Sequence, residues 1–384
     1  MKKVLMISTD RQILDETSSV ALRMREYAEV FGELHIVVMS QKSKVKSPGT
    51  EISGFKTCDS KLILSDKCFV YPTCSTSKYR YIFDAVRIGS KILSDFELPA
   101  SDFVITSQDP FETGIVGLFL AKKYKAMLNV QIHTDFLSPY FVYGSTLNKM
   151  RRHIARYVLP RASSIRVVSE RIHKSLIENS KFVSNDSKIT VLPLYSEAVP
   201  VSVESSDRFP QFEKVVLMVS RLESEKDIET ALKAFAMAEK SSLNTGLVIV
   251  GSGSREASLS NLAQSLGIDK KVLFLGWRNG DDLVHIRASS DVFLSTSLYE
   301  GYGLSLIEAS RAGLSIVSTD VGIAPELLPS DKLAIPGDID GIASLLSEAI
   351  HHPERFVVET SNIASVTYVS KDDFLAKLKQ SLLV

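Results

Sequence analysis

The chain is poor in cysteine. Cys58, Cys68 and Cys74 are the three in 384 residues, with no CxxC pair and no histidine close by. A metal site usually needs four ligands at tighter spacing, so these thiols read as buried or incidental, with no metal or redox role. Net charge is also missing: 45 Lys+Arg balance 45 Asp+Glu, which argues against a nucleic-acid binder. No apolar run approaches the roughly 20 residues that span a bilayer. The amino terminus, MKKVLMISTD, has two lysines but only Val4 to Ile7 as an apolar run, and no small-residue cleavage site follows. It reads as a first buried strand rather than a signal peptide, and the expected location is cytoplasmic. The zero balance conceals an asymmetry. Residues 201–384 hold 17 basic and 25 acidic residues, and residues 1–200 hold 28 and 20. The basic first half hints at a surface partner.

Such a length is too great for one ordinary core, and the pattern divides in two. In the first half, VLMIS (4–8), LHIVVMS (34–40), DFVITS (102–107), MLNVQIH (127–133), SSIRVVS (163–169) and KITVLP (188–193) read as strands. Helical patterns intervene near 20–31 and 113–124. Short continuous apolar strands separated by helices imply a parallel sheet covered on both faces. The stretch 196–212, with two prolines, several serines and no periodicity, reads as a linker. Alternation then restarts with KVVLMVS (214–220), GLVIVG (246–251), KVLFLGW (271–277), DVFLSTS (291–297) and LSIVSTD (314–320). The expected organisation is two doubly wound α/β domains facing across a cleft, 1–195 and 213–369. A terminal amphipathic helix at about 370–384 is expected to pack back on the first domain. In such sheets ligands bind at the carboxyl ends of the strands.

Several of the second domain's strand ends carry chemistry. After strand 214–220, SRLESEKD places Arg221 and Lys226 in one loop, a guanidinium fork and a point charge suited to a diphosphate. After strand 246–251, the GSGS turn at Gly251 permits close backbone approach. Trp277, the only tryptophan, follows strand 271–277, where core packing and ligand contact are both open. After DVFLSTS comes LYEGYGLSLIEASRAG (298–313), a glycine turn entering a helix. The first N–H groups of such a helix lack internal partners and favour anions. Two carboxylates, Glu300 and Glu308, flank that anion site. A carboxylate accepts paired hydrogen bonds from vicinal hydroxyls, so the pattern suits a phosphate with a sugar at one end and a ribose at the other. A glycosidase pair would need its carboxyl groups roughly 5–10 Å apart across the scissile bond. Eight helical residues separate these two by about 12 Å, and hydrolysis leaves the anion-binding loops unexplained.

SRLESEKDIETALKAF, VIVGSGSREASLSNLAQSLGIDKKVLFLGW and SLYEGYGLSLIEASRAGLSIVSTDVGIAPEL resemble successive blocks of the group 1 (family 4) retaining glycosyltransferases. That family has the GT-B fold, two Rossmann-like domains facing across a cleft. The resemblance is strong over about 220–327, and Glu300 with Glu308 resembles the family's Glu-x7-Glu signature. It implies that Arg221 and Lys226 bind the diphosphate of a nucleotide-sugar and that Glu308 bonds the ribose hydroxyls. It places Glu300 near the donor sugar, with Gly301 and the backbone N–H groups of Tyr302, Gly303 and Leu304 near the phosphates. Glu326 matches a further acidic position. In the first half, NVQIHTDFLSPYF (129–141) resembles the segment where the family places a histidine near the donor sugar. That makes His133 the candidate, with Asp135 secondary. Where the family has a glycine-rich loop after its first strand, this chain has Ser18 and Ser19, with Arg11 as a possible substitute contact. Asp227 replaces the family's usual glycine after Glu-Lys and reads as a helix N-cap.

The expected activity is therefore transfer of a sugar from a nucleotide-diphosphate-sugar to a hydroxyl acceptor, a saccharide or lipid-linked molecule, without cofactor or metal. Retention is implied by the resemblance alone. A sugar-nucleotide epimerase or hydrolase, and a non-catalytic sugar-nucleotide binding protein, are the alternatives. Between Lys149 and Lys174 stand eight Lys/Arg and one acid, Glu170. Within this run LNKMRRHIARYVL (147–159) repeats apolar residues at Leu147, Met150, Ile154, Tyr157 and Val158. Such a helix suits either an anionic membrane surface or a domain core with a solvated basic face.

Overall fold

A computed structural model describes residues 3–41, 61–96, 99–195, 208–238, 244–368 and 370–383. Most of the expected linker (196–207) and Cys58 lie outside the described residues. The chain divides into two compact units. One comprises Met1–Leu137, Gly144–Leu192 and Ser370–Val384, and the other Ser138–Tyr143 and Pro193–Val369.

The first unit is built on an eight-stranded sheet of β1 (Lys3–Ser8), β2 (Glu33–Val38), β3 (Leu62–Ser65), β4 (Cys68–Pro72), β5 (Phe103–Ser107), β6 (Met127–Ile132), β7 (Ser164–Val167) and β8 (Ile189–Val191). Its order is β3-β4-β2-β1-β5-β6-β7-β8. The central strands are buried on both faces: every residue of Val4–Ser8 and Phe103–Ser107 is inaccessible, as their unbroken apolar runs require. All pairings are parallel except β3 with β4, which the purely parallel expectation did not include. Only Asp66 and Lys67 join these two strands, a two-residue turn without the glycine or asparagine that makes hairpins legible.

The second unit holds β9 (Lys214–Val219), β10 (Thr245–Val250), β11 (Val272–Gly276), β12 (Val292–Ser295), β13 (Ser315–Thr319) and β14 (Leu333–Ala334). The order β11-β10-β9-β12-β13-β14 is that of a dinucleotide-binding sheet, and its direction of winding reverses between β9 and β12. Helices Ile228–Ala238 and Ile339–His351 seal its core, with Leu232, Phe235, Leu346 and Ile350 fully or almost fully buried.

Two short pieces sit apart from their neighbours in sequence. Residues Ser138–Tyr143 belong to the second unit, although the sequence pattern puts them in the first. There Tyr140 donates to the carbonyl of Pro336 (3.0 Å). The terminal helix Lys371–Leu383 belongs to the first unit. It buries Phe374, Leu378 and Leu382, its Ser381 carbonyl accepts from Asn129, and Lys371 pairs with Glu26 at 2.5 Å. Phe374 also lies beside Tyr27, with ring centroids 6.4 Å apart. Phe374→Ala is expected to destabilise the chain by about 3 kcal/mol in denaturant unfolding, the cost of a buried aromatic cavity. An unchanged unfolding midpoint would show that the helix is not part of that core.

Candidate active site

The carboxyl ends of β9 and β12 meet at the switch point of the second unit, and the loops leaving them are tied together. The hydroxyl of Thr296 donates to the carbonyls of Lys226 and Asp227 (both 3.0 Å), and the Leu298 N–H donates to the Glu225 carbonyl (2.8 Å). Thr319, at the end of β13, donates to the Ser297 carbonyl (2.7 Å). These bonds bring two residues 74 apart in sequence into contact: the Lys226 ammonium bonds the Glu300 carboxylate. Ser297 donates to the same carboxylate oxygen at 2.9 Å. Arg221 stands nearer solvent, its side chain largely exposed and paired with Glu225 at 2.6 Å.

Past Glu300 the chain turns through Gly303, whose φ of +105° is the left-handed geometry that glycine permits, and enters the helix Leu304–Arg311. The Leu304 and Ser305 N–H groups have no acceptor in the helix, while that of Leu306 bonds the Gly303 carbonyl (3.0 Å). Tyr302 points its ring the other way. It is buried, its hydroxyl bonds the Val366 carbonyl, and burial followed by the nearby Glu326 charge pushes its pKa up. Glu326 itself sits half-buried on the short helix Ala324–Leu327. Gly322, also left-handed, lies where an added Cβ would come within 2.3 Å of the Tyr302 carbonyl, so the Gly-Tyr-Gly turn packs against backbone. Glu308, on the helix, bonds Arg287 from the helix Gly280–Ala288. Arg287 is 4% exposed, and burial lowers its pKa against the opposing pull of Glu308.

Gly251, at the end of β10, has φ +137°, and a Cβ there would lie 1.8 Å from the Ser220 carbonyl. A Cβ on Gly253 would lie 2.4 Å from the Leu222 carbonyl. Both glycines are thus explained by close packing against the loop that carries Arg221. Trp277, after β11, is 71% exposed, so the core alternative is not what the fold shows. Asp227, expected as a helix N-cap, stands at the start of the helix Ile228–Ala238. It is left-handed (φ +46°), a geometry natural to the glycine it replaces, while its side chain still bonds Thr230.

The first unit has its own switch point between β1 and β5. Arg11 lies just past β1 and donates to the Tyr81 hydroxyl (2.8 Å). Ser18 is engaged as the cap of helix Ser19–Phe31, accepting from the Ala21 N–H (3.0 Å) and donating to the Gln12 carbonyl (2.6 Å). His133 follows β6, and Asp135 is buried two residues on. The His133 ring is held by an internal network. Gln131 donates through Nε2 to Thr106 (3.0 Å), which leaves its Oε1 to accept from Arg166 (3.0 Å) and from His133 Nε2 (3.2 Å). The proton therefore sits on Nε2 and leaves Nδ1 as an acceptor. Desolvation, then the charges of Arg166 and Arg23, push the His133 pKa down to about 3, so the ring is neutral around pH 7. Arg166 is accordingly a core residue, 2% exposed, and not part of the basic surface that its run suggested.

Sequence reasoning missed Arg287, Ser297 and the 138–143 segment, whose Phe141 ring meets Tyr299 edge-on with centroids 5.7 Å apart. Arg287 follows no motif and is found only by its contact with Glu308. Among the described residues no group of three or more His, Cys, Asp or Glu could hold a metal ion. Burial holds the Cys68 thiol up at about 12, which makes it unreactive.

The asymmetry of the Arg287–Glu308 pair has a measurable consequence. Glu308→Ala strands a buried guanidinium and is expected to cost about 3 kcal/mol of stability. Arg287→Met leaves a carboxylate that is 30% exposed and should cost clearly less. Urea unfolding of both variants measures the difference, and equal costs would mean that the pair is not buried as described.

The family model for glycosyl transferases group 1 matches residues 203–357. An uncharacterized glycosyltransferase of Methanocaldococcus jannaschii is 37% identical over 134 residues, 34% of this chain and 34% of that one. The chain's match thus spans about a third of that relative's length. Alpha-monoglucosyldiacylglycerol synthase of Streptococcus pneumoniae is 25% identical over 264 residues, 65% of this chain and 60% of that one. Among solved structures, sucrose-phosphate synthase from Thermosynechococcus elongatus superposes with a TM-score of 0.76 at 17% identity, covering 99% of this chain and 98% of that chain, a likeness of fold. Over residues 203–357 the chain is similar to the group 1 glycosyl transferases.

Proposed function

We propose that the chain transfers a sugar from a nucleoside-diphosphate sugar to a hydroxyl acceptor, with retention and without a metal. The observation that carries this reading is the Lys226–Glu300 contact at the β9–β12 switch point, beside the start of the helix Leu304–Arg311. A diphosphate there shares the Lys226 ammonium with Glu300, since three N–H donors serve both. Arg221 and the helix N–H groups take the remaining phosphate oxygens and stabilise the negative charge that grows as the diphosphate leaves. Glu300, oriented by Ser297, accepts from the sugar hydroxyls, and Glu308, oriented by Arg287, accepts from the ribose. Neutral His133 is suited to accept a sugar hydroxyl's hydrogen bond at Nδ1 and not to transfer a proton. Trp277 and Gly251 are further donor-side candidates, and Arg11, Ser18, Asp135 and Glu326 acceptor-side or secondary ones.

Turnover of a panel of nucleotide-sugars, with and without saccharide or lipid acceptors, tests the reading. Turnover without acceptor would favour a hydrolase or epimerase, and binding without any turnover a non-catalytic binding protein. In the expected case Lys226→Ala lowers turnover by about a hundred-fold or more while the chain stays folded. An unaffected rate would sink the phosphate assignment.

A peripheral contact of the first unit with an anionic membrane is supported by the helix Thr146–Val158. It packs through Ala155 and Val158, and Gly114 gives Val158 room, a Cβ there meeting it at 3.1 Å. Arg151, on the inner side, pairs with Glu112 at 2.9 Å. Leu147, Met150 and Tyr157 are left 46%, 53% and 57% exposed, with Lys149 and Arg156 exposed alongside. An uncovered apolar stripe beside cations matches the two parts of a lipid interface. Sedimentation with phosphatidylglycerol-containing vesicles should fall by about ten-fold or more in a Met150→Asp/Tyr157→Asp variant. Binding that is equal in the variant, or equal to neutral vesicles, would refute the contact.

A further inference from the structure

The first unit contains a cavity of about 610 Å³ between the helix Tyr81–Asp95 and the β1, β2 and β4 part of its sheet. Lys3 and Glu33, the first residues of β1 and β2, line it, so it reaches the opposite end of those strands from the switch point. Its size lies within the range of small-molecule sites.

The inner wall is aromatic and firmly held. The His35 ring, 6% exposed, lies nearly parallel to Tyr71 (12°, centroids 5.8 Å apart) and edge-on to Phe96 (4.9 Å). Glu33 accepts from His35 Nε2 at 2.6 Å, which places the imidazole proton there and makes Nδ1 an acceptor. The Tyr71 hydroxyl, 3.0 Å from Nδ1, must then be the donor in that contact. Its oxygen lone pairs remain able to accept from a hydroxyl in the cavity.

The rim is cationic. Arg87 and Lys91 are exposed and one turn apart on the same helix. Neither has a carboxylate within ion-pair distance among the described residues, so the two repel each other where they stand. Lys61 adds a third cation, its ammonium 3.5 Å above the Phe69 ring. Of the two carboxylates at the cavity, Glu33 is already neutralised by Lys3 at 2.9 Å, which leaves Asp95 facing three cations. A phosphate dianion answers that excess charge, and a guanidinium with two ammoniums is a suitable set of donors.

We propose that this cavity is a second ligand site, distinct from the β9–β12 site, for a phosphate monoester carried on a hydroxylated ring. The phosphate lies on Arg87, Lys91 and Lys61, and a ring hydroxyl donates to Tyr71. A sugar phosphate and a nucleoside monophosphate share this chemistry.

Isothermal titration of the full chain with glucose 6-phosphate, AMP and inorganic phosphate tests the site and separates the two sources. One ring phosphate should bind saturably, at least about ten-fold tighter than inorganic phosphate, because it adds the hydroxyl and ring contacts. Arg87→Ala/Lys91→Ala, both exposed positions, should weaken it by about ten-fold or more. Lys226→Ala should leave it unchanged, so that failure here and failure of the glycosyltransferase reading are separable. No saturable binding, binding unmoved by the double variant, binding lost in Lys226→Ala, or inorganic phosphate binding equally well would each overturn the site.

Discussion

The second unit's chemistry hangs on one crossing point, where the loop after β9 and the loop after β12 are bound to each other before any ligand is considered. Parallel pairing makes those strands neighbours, but pairing alone leaves their loops free to diverge. Thr296 and the Leu298 N–H remove that freedom by bonding three successive carbonyls of the 225–227 segment. Lys226 and Glu300 then meet because their backbones have nowhere else to go. The glycines at 251 and 253 serve the same end, letting β10's loop lie directly on the Ser220–Leu222 backbone. A site assembled this way meets a charged ligand with little reorganisation, which is how electrostatic stabilisation gains its strength.

Each unit also uses a buried arginine to hold a candidate side chain. Arg287 holds Glu308 directly, and Arg166 holds His133 through the Gln131 carboxamide. The consequences differ with the partner. A carboxylate gains a counter-ion and is oriented by it, whereas a desolvated imidazole one step from a guanidinium is kept neutral with a defined tautomer. The cost of burying each guanidinium is partly offset locally, by a carboxylate in one case and by amide and carbonyl oxygens in the other, while the Nε of each finds no hydrogen-bond partner among the described residues.

Much of the second unit was legible because its signals are local. DVFLSTS-LYEGYGLSLIEASRAG spells strand, glycine turn and helix within one short stretch, and both carboxylates travel with it. The first unit was less legible where its organisation depends on partners distant in sequence. The β3–β4 hairpin has no turn glycine, and the 138–143 segment packs with a unit that begins some fifty residues later. The helix at 146–158 repeats apolar residues as a core helix does, yet Ala155 and Val158 turn inward while Leu147, Met150 and Tyr157 stay outside.

The sequence by itself determined the two alternating α/β patterns, the strand-end loops with their cations, and the flanking pair Glu300 and Glu308, since each depends on periodicity or spacing within one element. Only the tertiary structure decided that Lys226 bonds Glu300 and that Arg287 bonds Glu308. It likewise decided that Trp277 is exposed, and that Arg166 is a core residue while Lys149, Arg156 and Arg161 face solvent. Those facts follow from which strands become neighbours and which helix face finds a partner, and a contact between residues 21 or 74 positions apart leaves no mark on the spacing of either.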